Sequence, residues 1–356
     1  MQFPRAPPVQ RNASSVSATM DRRPGRHKLR RVKAHVRAAR MDRISGLPDK
    51  ILHHIMSFLN ARQAVQTCVL SRRWRNLWRT MPCINADFDE FDFIAYQGDN
   101  EDYNDEVAFK RFVNQMLELR DPTAMIDTFW LSYIIWDGYN EYKDSNVDAN
   151  RWISHALQKQ ARVMEVVVFS FPLELDHSVF TSCYLRKIGF SCVSLHQGFF
   201  KQLDTGCPAL EELFLHDCII ADEEILSQSL KVLTIDGTEF SMANKASISI
   251  PSVTSLTLSI EDSTPMLKDM ELLTTASVSV KFNTFIFSYG FDANDLRQCL
   301  WSLSGVTNLE LNYEGTEVWL FVLLSVSTHL DLVINMKKLK LKLFFLSFHN
   351  CISLVA

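Results

Sequence analysis

The sequence predicts an α/β repeat protein: a small three-helix module followed by strand-and-helix repeats that build one curved parallel β-sheet. Two observations carry this. Residues 42–85 place apolar side chains at helical spacing, and four later segments share the aliphatic form L-x-x-L-x-L at recurring intervals. A third observation excludes alternatives. The 356 residues include 11 glycines and contain neither G-x-G-x-x-G nor G-x-x-x-x-G-K, so nothing points to a nucleotide-binding α/β fold.

The helical module reads DRISGLPDKILHHIMSFLNARQAVQTCVLSRRWRNLWRTM. Pro48 suits a first helical turn, where its missing N–H costs nothing. Ile51, Leu52, Ile55, Phe58 and Leu59 then recur at helical spacing. Asn60 is placed to cap a second helix, with Gln63 in capping-box position. Its apolar face carries Ala64, Val65, Cys68 and Val69. Ser71 is placed to cap a third helix bearing Trp74, Leu77 and Trp78, and Pro82 ends it. Three helices in so short a stretch make a thin core with more large apolar residues than it can hide, so a partner or the following domain is expected to cover some of them.

The run L-P-D-x-I-L-x-x-I-x-S-F-L, then A-V-x-T-x-x-L-S-x-R-W-R-x-L-W, resembles an F-box of the plant type found ahead of leucine-rich repeats. The resemblance implies docking on a Skp-family adaptor and, through it, on a cullin. It assigns Leu47, Pro48, Ile51, Leu52, Ile55, Val69, Leu70, Trp74 and Trp78 to the adaptor face or to the core behind it. Sequence does not divide those two sets.

The repeats follow. Leu210-Glu-Glu-Leu213-Phe-Leu215, Leu230-Lys-Val-Leu233-Thr-Ile235, Val253-Thr-Ser-Leu256-Thr-Leu258 and Val306-Thr-Asn-Leu309-Glu-Leu311 share one form, with Ala276–Val280 as a degenerate unit in the longest gap. Weaker members lie at Leu185–Phe190, Val163–Phe169 and Phe129–Ile135. The spacing is that of leucine-rich repeats. Segments Arg151–Leu157 and Gly198–Leu203 read as returning helices. The string Gly206-Cys-Pro-Ala-Leu210-Glu-Glu-Leu213-Phe-Leu215-His-Asp-Cys218 resembles the repeat unit of plant F-box proteins, with Cys207 and Cys218 read as core packing. Side-chain alternation turns Glu212, Phe214, His216, Thr234, Asp236, Thr257, Glu310 and Asn312 outward as candidate substrate contacts, flanked by Glu211, Lys231, Thr254 and Asn308.

The expected organisation is therefore a basic tail at 1–41, an F-box at 42–85, and an acidic linker with the first helix of the array at 86–125. A leucine-rich-repeat solenoid follows at 126–315, and an atypical apolar segment at 316–356. Residues 1–41 carry 11 Lys or Arg against one acid, a net +10, which leaves −14 for the rest of a chain of net charge −4. Such a tail buries too little apolar surface to fold. MDRISGLPDK would be a natural start, so residues 1–40 read as an upstream extension, and RRPGRHKLRR has the charge of a nuclear-import signal or nucleic-acid tether. A solvated tail is the plainer reading, and the acidic body repels phosphate. Phe88, Phe91, Phe93, Tyr96 and Tyr103 in the acidic stretch are expected to pack on the first repeat. The apolar ending MKKLKLKLFFLSFHNCISLVA lacks a polar capping repeat, whereas relatives of this type often continue, so a truncated or alternatively spliced end is expected.

No catalytic or metal-binding constellation is visible. The eight cysteines form no C-x-x-C pair, His53 and His54 are adjacent rather than four apart, and there is no G-x-S-x-G. The expected protein is a non-catalytic receptor subunit of a ubiquitin ligase in nucleus or cytoplasm, without cofactor, metal or membrane span, that binds a protein substrate of unknown identity. The alternatives are a non-ligase interaction scaffold, or a truncated chain that occupies the adaptor unproductively.

Overall fold

The computed structural model describes residues 44, 46–91, 101–135, 142–241, 246–261, 264–281, 293–315 and 338–345. The basic tail, Phe93, Tyr96, the side chain of Tyr103 and most of the C-terminal segment lie outside them. The chain divides into a unit 1–47 and a unit 48–356. Of the first, Ile44 is exposed and Leu47 half-buried, and the Leu47 N–H donates to the Ile44 carbonyl at 3.0 Å.

The second unit opens with α1 (Asp49–Met56), α2 (Ala61–Gln66), a 3₁₀ turn over Thr67–Val69, and the single-turn α3 (Trp74–Leu77), extended by a 3₁₀ turn over Trp78–Thr80. Pro48 sits at the N-cap of α1, where its carbonyl accepts from Ile51 and Leu52 N–H at 3.0 and 3.1 Å. Ser71 Oγ accepts from Trp74 N–H at 3.4 Å. Asn60 occupies the N-cap of α2 but makes no capping bond with its side chain. That amide instead donates to Asp87 at 3.1 Å and accepts from Asn85 at 2.8 Å, which fastens α2 to the first strand.

Ten parallel strands form the main sheet among the described residues, each lying beside the next one in chain order, and the short strands that intervene in sequence belong to two other sheets. They are β1 (Cys83–Asp87), β2 (Thr128–Ile135), β3 (Val163–Ser170), β5 (Lys187–Ser191), β7 (Glu212–His216), β10 (Val232–Asp236), β13 (Ser255–Ile260), β15 (Thr275–Lys281), β16 (Asn308–Gly315) and β17 (Lys338–Phe345). Two of these fall outside the expected array. β1 begins inside the stretch read as the end of the F-box, because Ile84 and Ala86 alternate with polar neighbours in too short a run to be distinctive. β17 continues the sheet from the segment read as atypical, pairing with β16.

The register explains the leucine pattern. One ladder runs Ile84, Phe129, Met164, Ile188, Leu213, Leu233, Leu256, Ala276 and Leu309, and every one of these side chains is buried. A second runs two residues on, through Ala86, Leu131, Val166, Phe190, Leu215, Ile235, Leu258 and Val278, and is likewise buried. Each fully buried leucine stabilises the fold by about 1.5–3 kcal/mol relative to exposure.

The return paths differ from the expected helices in the middle of the array. Helices return the chain in α4 (Glu101–Leu119), α5 (Tyr142–Gln158), α6 (Phe199–Gly206) and α7 (Ala293–Ser302). Between β7 and β15 the return is made by short strands: β8 (Ile219–Ile220), β9 (Glu224–Leu226), β11 (Glu239–Phe240), β12 (Ser247–Ser249) and β14 (Met266–Lys268). With β4 (Leu173–Glu174) and β6 (Val193–Leu195) they stack into a four-stranded and a three-stranded sheet. Repeats of 20 and 23 residues leave too little chain after the main strand for a helix of useful length.

Polar side chains tie successive units together. Asp222 accepts from Gly198 N–H at 2.6 Å and Phe200 N–H at 3.0 Å, so a carboxylate more than twenty residues downstream caps α6. Asn146 and Asn150 on α5 bond the backbone of β4: Glu174 N–H to Asn146 at 3.1 Å, Asn150 to the Glu174 carbonyl at 2.8 Å, and Asp176 N–H to Asn150 at 2.8 Å. That closes the edge of the four-stranded sheet. At the sharp bend after the main strand, Cys192, Asp217 and Gly237 fall on consecutive repeats with φ of 57°, 49° and 59°.

Candidate functional site

Two surfaces stand out, and they are built differently. The first lies on the short helices. Along α1 the pairs i, i+4 split cleanly: Leu52 and Met56 point into the core, while Ile51 and Ile55 face solvent. Phe58 is 76% exposed, Leu70 63% and Val69 83%, values that a side chain chosen for its own core would not show. Pro48 is exposed beside them in sequence. The nine residues assigned to the adaptor face or the core behind it divide by burial. Leu52, Trp74 and Trp78 are buried and make the core of the helical unit, leaving Pro48, Ile51, Ile55, Val69 and Leu70 as the outward set. Leu47 belongs to the preceding unit. Phe58 was legible as part of the apolar stripe, but its helix ends at Met56, and that break swings it out.

This helical unit is held to the sheet at several points. Besides the Asn60 latch, Arg62 donates to the Glu90 carbonyl and lies 4.6 Å above the Phe91 ring. Asp121 N–H donates to the Arg79 carbonyl at 3.1 Å. Phe88 and Phe91 both pack edge-on against Phe109 of α4, which stacks on Tyr133 of β2 and meets Trp152 of α5. The two described aromatics of the acidic stretch thus pack where the sequence suggested.

The second surface is the outward face of the main sheet. One row across it holds Asn85, Trp130, Glu165, Gly189, Phe214, Thr234, Thr257, Ser277 and Glu310. The neighbouring rows carry Glu212 on one side, and His216 with Asp236 and Asn312 with Ser279 on the other. All eight candidate contacts therefore lie on the same face of the sheet. His216 and Thr257 are exposed, while Glu212, Phe214, Thr234, Asp236, Glu310 and Asn312 are half-buried. Strands about 4.8 Å apart cover each other's side chains laterally, which alternation along one strand does not reveal. Trp130, Glu165 and Lys187 share the face but did not stand out in sequence, because only register places them there.

The face is laced by charge. Lys187 Nζ is 3.1 Å from Glu165 and 4.9 Å from the centre of the Phe214 ring. His216 lies between Asp217 at 3.2 Å and Asp236 at 3.4 Å. Lys281 bridges Asp236 at 3.0 Å and Glu261 at 3.3 Å. Partial burial raises the Asp236 carboxyl, but the hydrogen bond and charge of Lys281 outweigh it and hold it below the usual range. For Lys281 burial lowers the ammonium, and Asp236 and Glu261 more than reverse that.

Cys207, Cys218 and Cys299 are buried. Burial pushes Cys218 and Cys299 up to about 12 and raises Cys207, so these sulfurs stay protonated and unreactive. Among the described residues no group of His, Cys, Asp and Glu is arranged to hold a metal, and no helix is long and apolar enough to cross a membrane.

Residues 44–85 match the F-box domain family. An Arabidopsis thaliana F-box/FBD/LRR-repeat protein is 28% identical over 290 residues, 72% of this chain and 61% of its own. An F-box/LRR-repeat protein of the same plant is 30% identical over 226 residues, 55% of this chain and 65% of its own. An F-box protein is 32% identical over 213 residues, 49% of this chain and 44% of its own. The chain thus spans less than two thirds of the length of each of these three relatives. No solved structure is a significant match. The chain thus carries an F-box domain at residues 44–85, and the leucine-laddered parallel sheet that follows it is consistent with the plant F-box/LRR-repeat proteins it resembles.

Proposed function

We propose that this chain is the substrate-recognition subunit of a Skp–cullin–F-box ubiquitin ligase. F-boxes in general dock Skp-family adaptors, and the observation that carries the reading here is the set of solvent-facing Ile51, Ile55, Phe58, Val69 and Leu70 on helices whose Leu52, Met56, Trp74 and Trp78 are buried. An adaptor surface is the natural cover for them. The outward face of the sheet, with Phe214, His216, Thr234, Asp236, Thr257, Glu310 and Asn312, is the proposed substrate face. A repeat array offers an extended surface for a protein partner.

The chain's contribution is geometric. The Asn60 and Arg62 contacts and the aromatic cluster join the proposed adaptor surface to the proposed substrate surface. A held substrate is thereby presented at a defined place, and proximity raises its effective concentration at the ubiquitin-transferring enzyme. The chemistry belongs to that enzyme, and this chain acts in the nucleus or cytoplasm as a non-catalytic receptor.

The test is co-purification with a Skp-family adaptor. The wild-type chain should bind, and an Ile51→Asp, Val69→Asp double variant should not, with its thermal unfolding unchanged because neither side chain is part of the core. A folded wild-type chain that ignores the adaptor would sink the ligase reading.

A further inference from the structure

The residue that precedes each main strand forms its own ladder along one rim of the sheet. In order across the sheet from β1 to β16 these residues are Pro82, Asp127, Arg162, Arg186, Glu211, Lys231, Thr254, Thr274 and Thr307. Their backbones are locked in step. The carbonyls of Asp127, Arg162, Arg186, Glu211 and Lys231 each accept two N–H groups from the next rung, at 2.8–3.1 Å. Side chains on this rim therefore stand about 4.8 Å apart. The charges alternate along it at every charged step but one: Arg162 and Arg186 are neighbours.

A like-charged pair on adjacent rungs costs stability. The flanking acids do not saturate it. Asp127 reaches Arg162 at 3.4 Å, and Glu211 reaches Arg186 at 3.5 Å, while Glu211 is held closer by Lys231 at 2.9 Å. Charge-assisted hydrogen bonds of full strength are about 2.7–2.9 Å. Both guanidinium groups are roughly half-exposed, and both line one groove with a cavity volume of about 460 Å³. Tyr184 and Met125, both exposed, supply apolar walls to that groove, Gln160 adds an amide, and the Asp127 carboxylate lines it on the far side of Arg162 from Arg186 along the rim. The chain beyond residue 41 is strongly acidic, so a groove lined by two arginines against one carboxylate is a departure from the surroundings.

We infer that this groove is an oxyanion-recognition subsite for substrate: Arg162 and Arg186 together clamp one carboxylate or phosphate group of a bound peptide, and Tyr184 and Met125 pack the adjoining residue. Two planar forks on neighbouring rungs can each present N–H donors to one oxyanion, a geometry that lysines would not reproduce. The inference rests on the array being the substrate-binding part of the receptor.

A peptide array screened with the intact chain tests it, with Asp, phosphoserine, Ser or Lys at two adjacent central positions inside otherwise degenerate sequences. Peptides with Asp or phosphoserine should be enriched over Ser and Lys, and the stronger of those two arms identifies carboxylate or phosphate as the source. An Arg162→Gln, Arg186→Gln double variant should lose the enrichment, with affinity falling about ten- to a hundred-fold. Glu211→Gln releases Arg186 and should tighten binding, a gain that misfolding does not mimic. Adaptor binding measured on the same samples separates failure of this subsite from failure of the receptor reading. No preference for anionic peptides, or a preference that survives loss of both arginines, would overturn the proposal.

Discussion

The helical unit and the strand array use apolar side chains to opposite ends. In the array every described position of the two central ladders from β1 to β15 is buried against its neighbours along the sheet. In the helical unit Leu52, Met56, Trp74 and Trp78 suffice for a core, and Ile51, Ile55, Phe58, Val69 and Leu70 are left in water. The difference teaches how to read an apolar pattern. A repeat completes itself by stacking on the next repeat, whereas a short bundle has one inside, and surplus apolar residues on it belong to whatever covers it.

That contrast breaks most sharply at the ladder. Leu233→Ala should cost about 2–5 kcal/mol in chemical denaturation, because a fully buried side chain leaves a cavity between two rungs that cannot close up. A loss below about 1 kcal/mol would mean the rungs are not packed as described. Phe58→Ala makes the opposite prediction. Stability should stay within about 0.5 kcal/mol, while adaptor affinity drops by about 2 kcal/mol if the ring is an anchor of that interface. Calorimetry of the complex reads the second number.

The bends between units give the next effect. Gly237 combines φ of 59° with a site where an added Cβ would lie 2.1 Å from Asp217 Oδ1, so Gly237→Ala should destabilise by about 1–3 kcal/mol. Replacing Asp222 with Ala leaves two N–H groups at the start of α6 without their acceptor and should cost about 1 kcal/mol. Hydrogen exchange should then quicken in α6 before it does so in the strands.

The smallest effect is electrostatic. The Asp236 carboxyl is held below its unfolded range, so its contribution is present above the unfolded pKa and fades as pH falls through the folded one. Lys281, raised above its unfolded range, contributes below that value and loses the contribution on the alkaline side. Lys281→Met should return the Asp236 titration, followed by NMR, toward the ordinary carboxylate range. An unmoved titration would show the bridge to be absent in solution. Both groups are more than a third exposed, so solvent screening keeps the stability change slight.

Much of this was legible in the residues. The L-x-x-L-x-L segments and their weaker upstream copies fall on β2, β3, β5, β7, β10, β13, β15 and β16, since a strand buried on one side declares itself by period two. Asn60 shows the limit. Its position at a helix start was readable, but not that its amide would be spent on Asn85 and Asp87, because a competing partner 25 residues away leaves no local trace. The short return strands were missed for a related reason. Two- and three-residue strands such as Ile219–Ile220 and Ser247–Ser249 carry no period of their own and exist only because the next repeat offers them an edge.

By itself the sequence determined the class of the protein, its helical module and the rungs of its sheet, because these depend on local spacing of apolar side chains. Tertiary structure decided which of those side chains are surface. It sent Leu52, Trp74 and Trp78 inside and Phe58, Val69 and Leu70 out, and it set Arg162 beside Arg186 across two repeats. Burial and adjacency are properties of what packs against a residue from elsewhere in the chain, and the spacing of neighbours along it does not encode them.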